Sequence, residues 1–342
     1  MTSSSVILVT GGAGYIGSHV CVELIYAGFD VVVIDNLSLG NKEALIRAEK
    51  IAGRAIPLIV ADVKDVAALS GIFNDYNIKA VLHFAGLKSV SESHKNPLSY
   101  YRNNVESSLV LCDVMQKNNV NDLIFSSSAT VYGEPEVVPI NEKANVGSCT
   151  NPYGKSKFIV EEIYRDLCRT DSSRWKITLL RYFNPVGAHS SGLIGESPQG
   201  APNNLFPLIS KVAIGELPKI NVYGGDYSTF DGTGVRDYIH VVDLARGHVK
   251  ALERLLECEF GCYTYNLGTG KGYSVLDIIK EFECVSGRSI PYEIVERRSG
   301  DVAICFADCS LASTELNWMP KFNLARMVED TWRWQVENPN GY

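Results

Sequence analysis

Tyr153 and Lys157 lie four residues apart in Asn151-Pro-Tyr-Gly-Lys-Ser-Lys157, and Pro152 suits the first turn of a helix. On a helix that spacing sets both side chains on one face. An ammonium close to a phenol favours the phenolate, so Tyr153 is expected to ionise below its ordinary pKa of about 10 and to act as a proton acceptor. Ser128 closes the run Leu123-Ile-Phe-Ser-Ser-Ser128, and a hydroxyl on that strand end can meet a phenol on the following helix. A lone Y-x-x-x-K spacing often arises by chance, and taken alone it reads better as an ordinary surface pair. The elements around it decide between the two.

Those elements begin with Val6-Ile-Leu-Val-Thr10, a continuous apolar and β-branched run of the kind a strand buried on both faces requires. Gly11, Gly14 and Gly17 follow, then a helical stretch over residues 18–27 and a second apolar run, Val31-Val-Val-Ile34. Strand, glycine turn, helix, strand is the context in which backbone amides and the positive end of a helix receive a pyrophosphate. Asp35 ends the second strand, where a carboxylate accepts from ribose hydroxyls and repels a 2′-phosphate, which favours NAD over NADP. A turn or cap role for Asp35-Asn36 remains open at this point. Further strands are expected at 57–60, 80–84, 123–127 and 177–182, with helices between them. The pattern predicts an α/β fold, a Rossmann-type doubly wound parallel sheet with ligands at the carboxyl ends of its strands. Asp62 is placed to meet an adenine or to cap a helix, while small Ala85 and Gly86 let backbone approach the cofactor. Residues 97–117 carry a long helical pattern, with Leu98, Tyr101, Val105, Leu109 and Cys112 at three- and four-residue steps. That helix and the one opening at Pro152 either cover the sheet or pair with their copies in a dimer.

With 342 residues, 46% of them hydrophobic, the chain can bury a large core. Its net charge of −7 and the lack of a basic run argue against nucleic acid or an anionic membrane as partner. Neither a signal-like start nor a long apolar span is evident, so a cytosolic protein is expected. Nine scattered cysteines without C-x-x-C read as reduced thiols, and six histidines without metal spacing predict no metal site. His83 reads as a satisfied core histidine.

The motifs T-G-G-x-G-Y-I-G-S-H, D-N-L-S, H-F-A-G-L-K, S-S-S-A-T-V-Y-G, N-P-Y-G-K-S-K, R-Y-F-N-P-V-G-A-H and G-V-R-D-Y-I-H, spread over the whole chain, resemble the UDP-galactose 4-epimerase branch of the extended short-chain dehydrogenase/reductase family. The resemblance implies a tightly held NAD, reduced and reoxidised in each turnover through a 4-keto sugar. It implies that Tyr153 takes the proton of the 4-hydroxyl, that Lys157 bonds the nicotinamide ribose, and that Ser128 bonds the reacting O4. Carried over by position, the NAD contacts are Tyr15, Ile16, Asp35, Asn36, Asp62, Val63, Phe84, Lys88, Asn103 and Phe183, beside the three glycines, Ala85 and Gly86. The related nucleotide-sugar dehydratases carry an acid pair where this chain has Ala129 and Thr130, so elimination lacks its acid and base. A homodimer is expected on resemblance alone.

After Phe183 the alternation weakens and Gly, Pro and Asn accumulate. The expected division is an NAD-binding domain over 1–183 and a smaller α/β substrate-binding domain over 184–342, with exchange of chain between them allowed. Arg236, Arg297 and Arg298 are candidates for a diphosphate, which a guanidinium meets bidentately. Family position favours Arg236 and Arg298. The resemblance sets Lys88, Asn184, Asn204 and Leu205 along the sugar and diphosphate, Asn221 and Tyr223 at the uracil, and Asp301 at the uridine ribose. Apolar runs at 220–223 and 263–267, with helices near 242–256, 275–285 and 324–336, are expected to form a lid. Cys305 falls where the family's tyrosine restricts the enzyme to glucose and galactose, so a small residue implies room for N-acetyl sugars. Ser91 and Ser197 depart from the family pattern without touching a catalytic role. A net sugar dehydrogenase or reductase, and a non-catalytic NAD-binding regulator, are the competing functions.

Overall fold

The structure, a computed structural model, describes residues 5–170, 174–200, 202, 204–298 and 300–342. In the first half, strands β1 (Val6–Thr10), β2 (Asp30–Asp35), β3 (Leu58–Val60), β4 (Ile78–His83), β5 (Asp122–Ser128) and β6 (Lys176–Tyr182) alternate with helices. Those helices are α1 (Tyr15–Tyr26), α2 (Lys42–Ala52), α3 (Val66–Asp75), α4 (Val90–Lys95), α5 (Pro97–Tyr100), α6 (Glu106–Lys117) and α7 (Pro152–Arg169). The second half runs β7 (Asn184–Val186), α8 (Leu205–Ala213), β8 (Ile220–Tyr223), β9 (Val235–His240), α9 (Val241–Glu257) and β10 (Gly261–Leu267). It ends with β11 (Gly272–Ser274), α10 (Val275–Ser286), β12 (Tyr292–Val295), β13 (Ile304–Cys305), α11 (Ser310–Leu316) and α12 (Leu324–Glu337).

A seven-stranded sheet in the order β10-β6-β5-β4-β1-β2-β3 pairs in parallel throughout. Parallel sheets bury both faces, and alternate residues of the same strands feed two cores. Ile7, Val9, Val31 and Val33 pack with α1 and α9, while Leu8, Val32, Ile34 and Phe125 pack with residues of α3, α6 and α7. The strand order reverses beside β1, where β4 lies on one side and β2 on the other. That reversal opens a crevice at the carboxyl ends.

The run expected in the lid at 263–267 belongs instead to the main sheet. As β10 it pairs with all of β6, and α9 packs on α1. The physical reason is the open edge of β6: unless β10 pairs there, the backbone groups of that edge and the Tyr265 and Leu267 side chains of β10 would face water. Beyond this sheet β9 joins β11, β13 and β7, and β8 pairs with β12, over a separate core of Phe206, Ile209, Ile278, Phe282, Met327 and Val328.

The helix expected over 97–117 forms with an interruption, a π-turn at Tyr101–Val105 between α5 and α6. Extra residues in a turn rotate the helix face and commonly mark functional sites. Here the turn directs buried Asn104 inward, while Leu98 and Leu109 of the same pattern are 65% and 45% exposed.

Candidate active site

α7 starts as its sequence requires. Pro152 occupies the first turn, and the Asn151 side chain accepts from Gly154 N at 2.8 Å. Gly154 is demanded by contact: a Cβ there would stand 2.9 Å from the Thr130 carbonyl oxygen. The start of α7 is thereby pressed against the turn that follows β5, which brings Tyr153 near enough to Ser128 for the hydroxyl to favour its phenolate. Ser128 Oγ accepts from Thr130 N at 3.2 Å and from Thr130 Oγ1 at 3.0 Å, so its own proton is free for another partner. Tyr100 sets its ring edge-on to Tyr153, 6.5 Å between centroids.

Lys157 is buried, its Nζ 2.6 Å from the Ser126 carbonyl and 4.7 Å over the Phe125 ring. Burial pulls its pKa down to about 7, against a smaller upward pull from Glu161. Burial also raises the Tyr153 phenol, with Ser128 acting the other way. The expected fall of the Tyr153 pKa beside Lys157 is therefore corrected for the protein alone: the ammonium is turned toward Ser126, and desolvation dominates.

The glycine turn fits a dinucleotide. Gly11 has φ +70°, and a Cβ on it would lie 2.7 Å from Ala85 N; one on Gly17 would lie 2.7 Å from the Gly12 Cα. β1, β4 and α1 can converge only because these side chains are absent. Gly14, by contrast, has open space but for the Gly11 oxygen, and α1 begins with neither a side-chain cap nor an acidic residue in its first turn. Its positive end is left for an anion. A Cβ at Gly86 would stand 3.8 Å from Lys157 Nζ, which puts the end of β4 beside the Tyr/Lys pair.

Asp35 is 7% exposed; Oδ2 accepts from Ala13 N at 3.0 Å and Oδ1 from Leu37 N at 2.8 Å. Burial raises its carboxyl, while both amide bonds lower it. It steadies the glycine turn and keeps lone pairs for a ribose. Asn36 Nδ2 donates to Asp62 Oδ2 at 3.0 Å, and Asp62 Oδ1 accepts from Lys64 N in the turn after the strand; the cap expected of Asp62 is made instead by Asp65, whose side chain accepts from Ala67 N and Ala68 N at the start of α3. The Val63 side chain belongs to the core and offers only backbone. Tyr15 donates to the Gly187 carbonyl at 2.6 Å, Ile16 packs on the core, and Phe84 packs on His248 at 4.9 Å between centroids. Asn103 sits on the π-turn, half-buried, and Phe183 is buried beside Val131 and Tyr132.

The second half carries the residues expected to meet the substrate. A cavity of about 260 Å³ is lined by Pro202, Leu208, Leu217, Lys219, Ile220, Asn221, Tyr223 and Arg298. Arg298 lies 3.8 Å over the Tyr223 ring, and its guanidinium lowers that phenol's pKa. Three of the expected substrate residues thus share one wall. Arg236 bonds the Val235 carbonyl and stands 3.7 Å from Asp301, while Arg297 is engaged by Asp226 at 2.7 Å. Cys305 pairs with Arg236 across β13 and β9, and burial pushes its thiol up to about 11. Asn184 opens β7 and is exposed; Asn204 stands at the N-cap of α8 and Leu205 begins that helix. Among the described residues no cluster of three His, Cys, Asp or Glu side chains could hold a metal ion.

Sequence reasoning missed Asn104, Thr130 and Glu196. The Asn104 amide accepts from Leu87 N at 2.8 Å and donates to the Leu87 carbonyl and to Ser156 Oγ, tying the end of β4 to α7. Two adjacent asparagines in a helical pattern were the available signal, since Asn disfavours helix interiors. Glu196 accepts from Asn204 Nδ2 at 2.7 Å and faces Lys88 Nζ at 3.4 Å.

A parallel sheet with a glycine turn at its switch point, and a Ser/Tyr/Lys set at the next strand end, define a dinucleotide-dependent enzyme of the short-chain dehydrogenase/reductase type. Residues 7–268 match the NAD dependent epimerase/dehydratase family, and the chain belongs to it. It is 57% identical to a UDP-glucose 4-epimerase of Pasteurella multocida (strain Pm70), covering 98% of this chain and 99% of that one. It is 55% identical to one of Mus musculus, covering 98% of each. A crystal structure of UDP-glucose 4-epimerase from Bifidobacterium longum in complex with NAD+ and UDP superposes with a TM-score of 0.96 at 51% identity, over 99% of this chain and 100% of that one.

Proposed function

We propose that this chain interconverts UDP-galactose and UDP-glucose by reversible oxidation at C4. The observation that carries the reading is the placement of Ser128 at the end of β5 and of Tyr153 and Lys157 on one face of α7, with Lys157 Nζ beside the end of β4 and the glycine turn. NAD, bound by that turn, Asp35 and Lys157, supplies the acceptor and donor of hydride for C4. Tyr153 removes the 4-hydroxyl proton and later returns it. Ser128, its lone pairs occupied by Thr130, donates to O4 and holds it against Tyr153. Lys157, with a pKa of about 7, gains or loses its charge near neutrality and is poised to bias the phenol toward ionisation. Arg236 and Arg298 take the diphosphate, Asn221 and Tyr223 the uracil, and Asp301 the uridine ribose. Asn184, Asn204 and Leu205 line the sugar and diphosphate. A crystal structure of a 48% identical UDP-glucose-4-epimerase from Stenotrophomonas maltophila, with bound NAD and formylated UDP-arabinopyranose, supports a sugar nucleotide in this crevice.

UDP-GlcNAc and UDP-GalNAc are further substrates on this reading, because Cys305 leaves room at the sugar's 2-substituent. The enzyme works as a cytosolic homodimer: exposed Leu98 and Leu109 mark the α5–α6 face for pairing, and nine free cysteines suit a reducing compartment. The test is conversion of UDP-galactose and, separately, UDP-GalNAc, with products resolved by chromatography. Conversion of both supports the reading, and conversion of UDP-galactose alone removes the N-acetyl substrates.

A further inference from the structure

Asn204 stands at the N-cap of α8 yet makes no cap hydrogen bond to that helix. An asparagine there ordinarily spends its side-chain oxygen on an amide of the first turn. Instead its Nδ2 donates to Glu196 Oε1 at 2.7 Å, and Glu196 is only 10% exposed. Glu196 is itself held from behind. Its carbonyl accepts from Trp334 Nε1 at 3.2 Å, and the neighbouring Gly195 exchanges two hydrogen bonds with the Tyr342 hydroxyl, at 3.1 and 3.2 Å. On its open side stands exposed Lys88, with Nζ 3.4 Å away.

We infer that Glu196 is a positioning residue for the sugar–diphosphate end of the substrate, acting through Asn204; this rests on the epimerase reading above. A carboxylate only accepts, so it bonds the NH2 side of the Asn204 amide and fixes which way that amide faces. The Asn204 carbonyl is left for a sugar hydroxyl. A glutamine at 196 could donate as well as accept, and the amide would then lose its preferred orientation. General attraction of the anionic substrate does not explain Glu196, because a negative charge beside a diphosphate opposes binding. Lys88 offsets that charge only in part, as an exposed contact. What remains is orientation.

The test measures turnover of UDP-galactose and, by calorimetry, binding of UDP-glucose to the purified protein. In Glu196→Gln, KM and the dissociation constant are expected to rise about tenfold, with kcat within about twofold. In Glu196→Gln/Asn204→Ala the loss should equal that of Asn204→Ala alone. Unchanged KM and binding in Glu196→Gln would overturn the inference, as would a fall in kcat and melting temperature with binding intact. Additive losses in the double variant would overturn the route through Asn204. Should Glu196→Gln fail to fold, Glu196→Asp keeps the charge but withdraws the carboxylate, and the same rise in KM is expected. A wild-type protein that binds UDP-glucose without epimerising it would sink the catalytic reading and leave the binding cycle to judge Glu196.

Discussion

In the proposed reaction Tyr153 accepts a proton from the substrate, within a site that by itself makes its phenolate less favourable. Burial raises its pKa, Ser128 lowers it, and Lys157 is engaged by the Ser126 carbonyl. The charge that brings the phenol into range must therefore assemble in the crevice, which ties proton transfer to a site filled with cofactor and substrate. Replacing Tyr153 by Phe removes the proton acceptor but little volume. The expected result is a kcat lower by about 10²–10⁴ with UDP-glucose binding retained, read by steady-state kinetics and calorimetry. Near-full activity of Tyr153→Phe would disprove the assigned base. At Cys305 the substitution by tyrosine tests the specificity argument: UDP-GalNAc turnover is expected to disappear while UDP-galactose turnover persists.

The elements that hold this pair in place meet at a buried ionic network. Glu161 of α7, fully buried, accepts from Arg181 of β6 at 2.6 Å and from Ser127 of β5, and Arg165 adds a further bond at 2.9 Å. Burial alone would raise the Glu161 carboxyl, but these donors hold it below the usual range. Removing one partner strands the other, so Arg181→Met is expected to cost about 3–5 kcal/mol in urea unfolding, much of it recovered in Glu161→Leu/Arg181→Met. Equal stability of Arg181→Met and wild type would show that the network does not fasten α7. The elements themselves were readable in the sequence where their cause is local. The glycine turn, Pro152 at the start of α7 and the apolar runs of β1, β2 and β5 carry their own signals. Residues 263–267 were not, because an apolar run does not say which sheet edge it will cover, and that choice was made by β6. Thr130, Asn104 and Glu196 escaped for a related reason: each is a single polar residue whose partner is fixed only by folding. The ionisation of Tyr153 was misjudged because spacing reveals a neighbour but not desolvation.

At the scale of the whole molecule, α9 and β10 lock the second half into the first. A chain ending at residue 183 would lack both elements and expose Val20, Leu24 and Leu180, which share one core with Leu244, Leu252, Tyr265 and Leu267. It is expected to be unfolded by circular dichroism, and an independently folded 1–183 would contradict this account of the sheet. Buried histidines set the acid limit of stability. Burial lowers His19 and His83 to about 3 and His248 to about 4. Their folded pKa lies below the unfolded value of about 6.5, so the unfolded chain binds more protons between those limits. Their contribution is complete above about pH 6.5 and is lost as pH falls toward 3, by at most ~1.4 kcal/mol per histidine per pH unit. The melting temperature should therefore drop steadily below about pH 6, and a flat profile to about pH 4 would refute the assignment. Above all of these stands the reaction itself, a C4 inversion in which oxidation and reduction cancel. The most direct measurement is incubation of the purified protein with UDP-galactose and no added NAD, following products by chromatography and reduced nicotinamide by absorbance. UDP-glucose is expected to form, the same mixture to be reached from UDP-glucose, and no reduced nicotinamide to accumulate. A requirement for added NAD, with reduced nicotinamide building up in step with product, would contradict it.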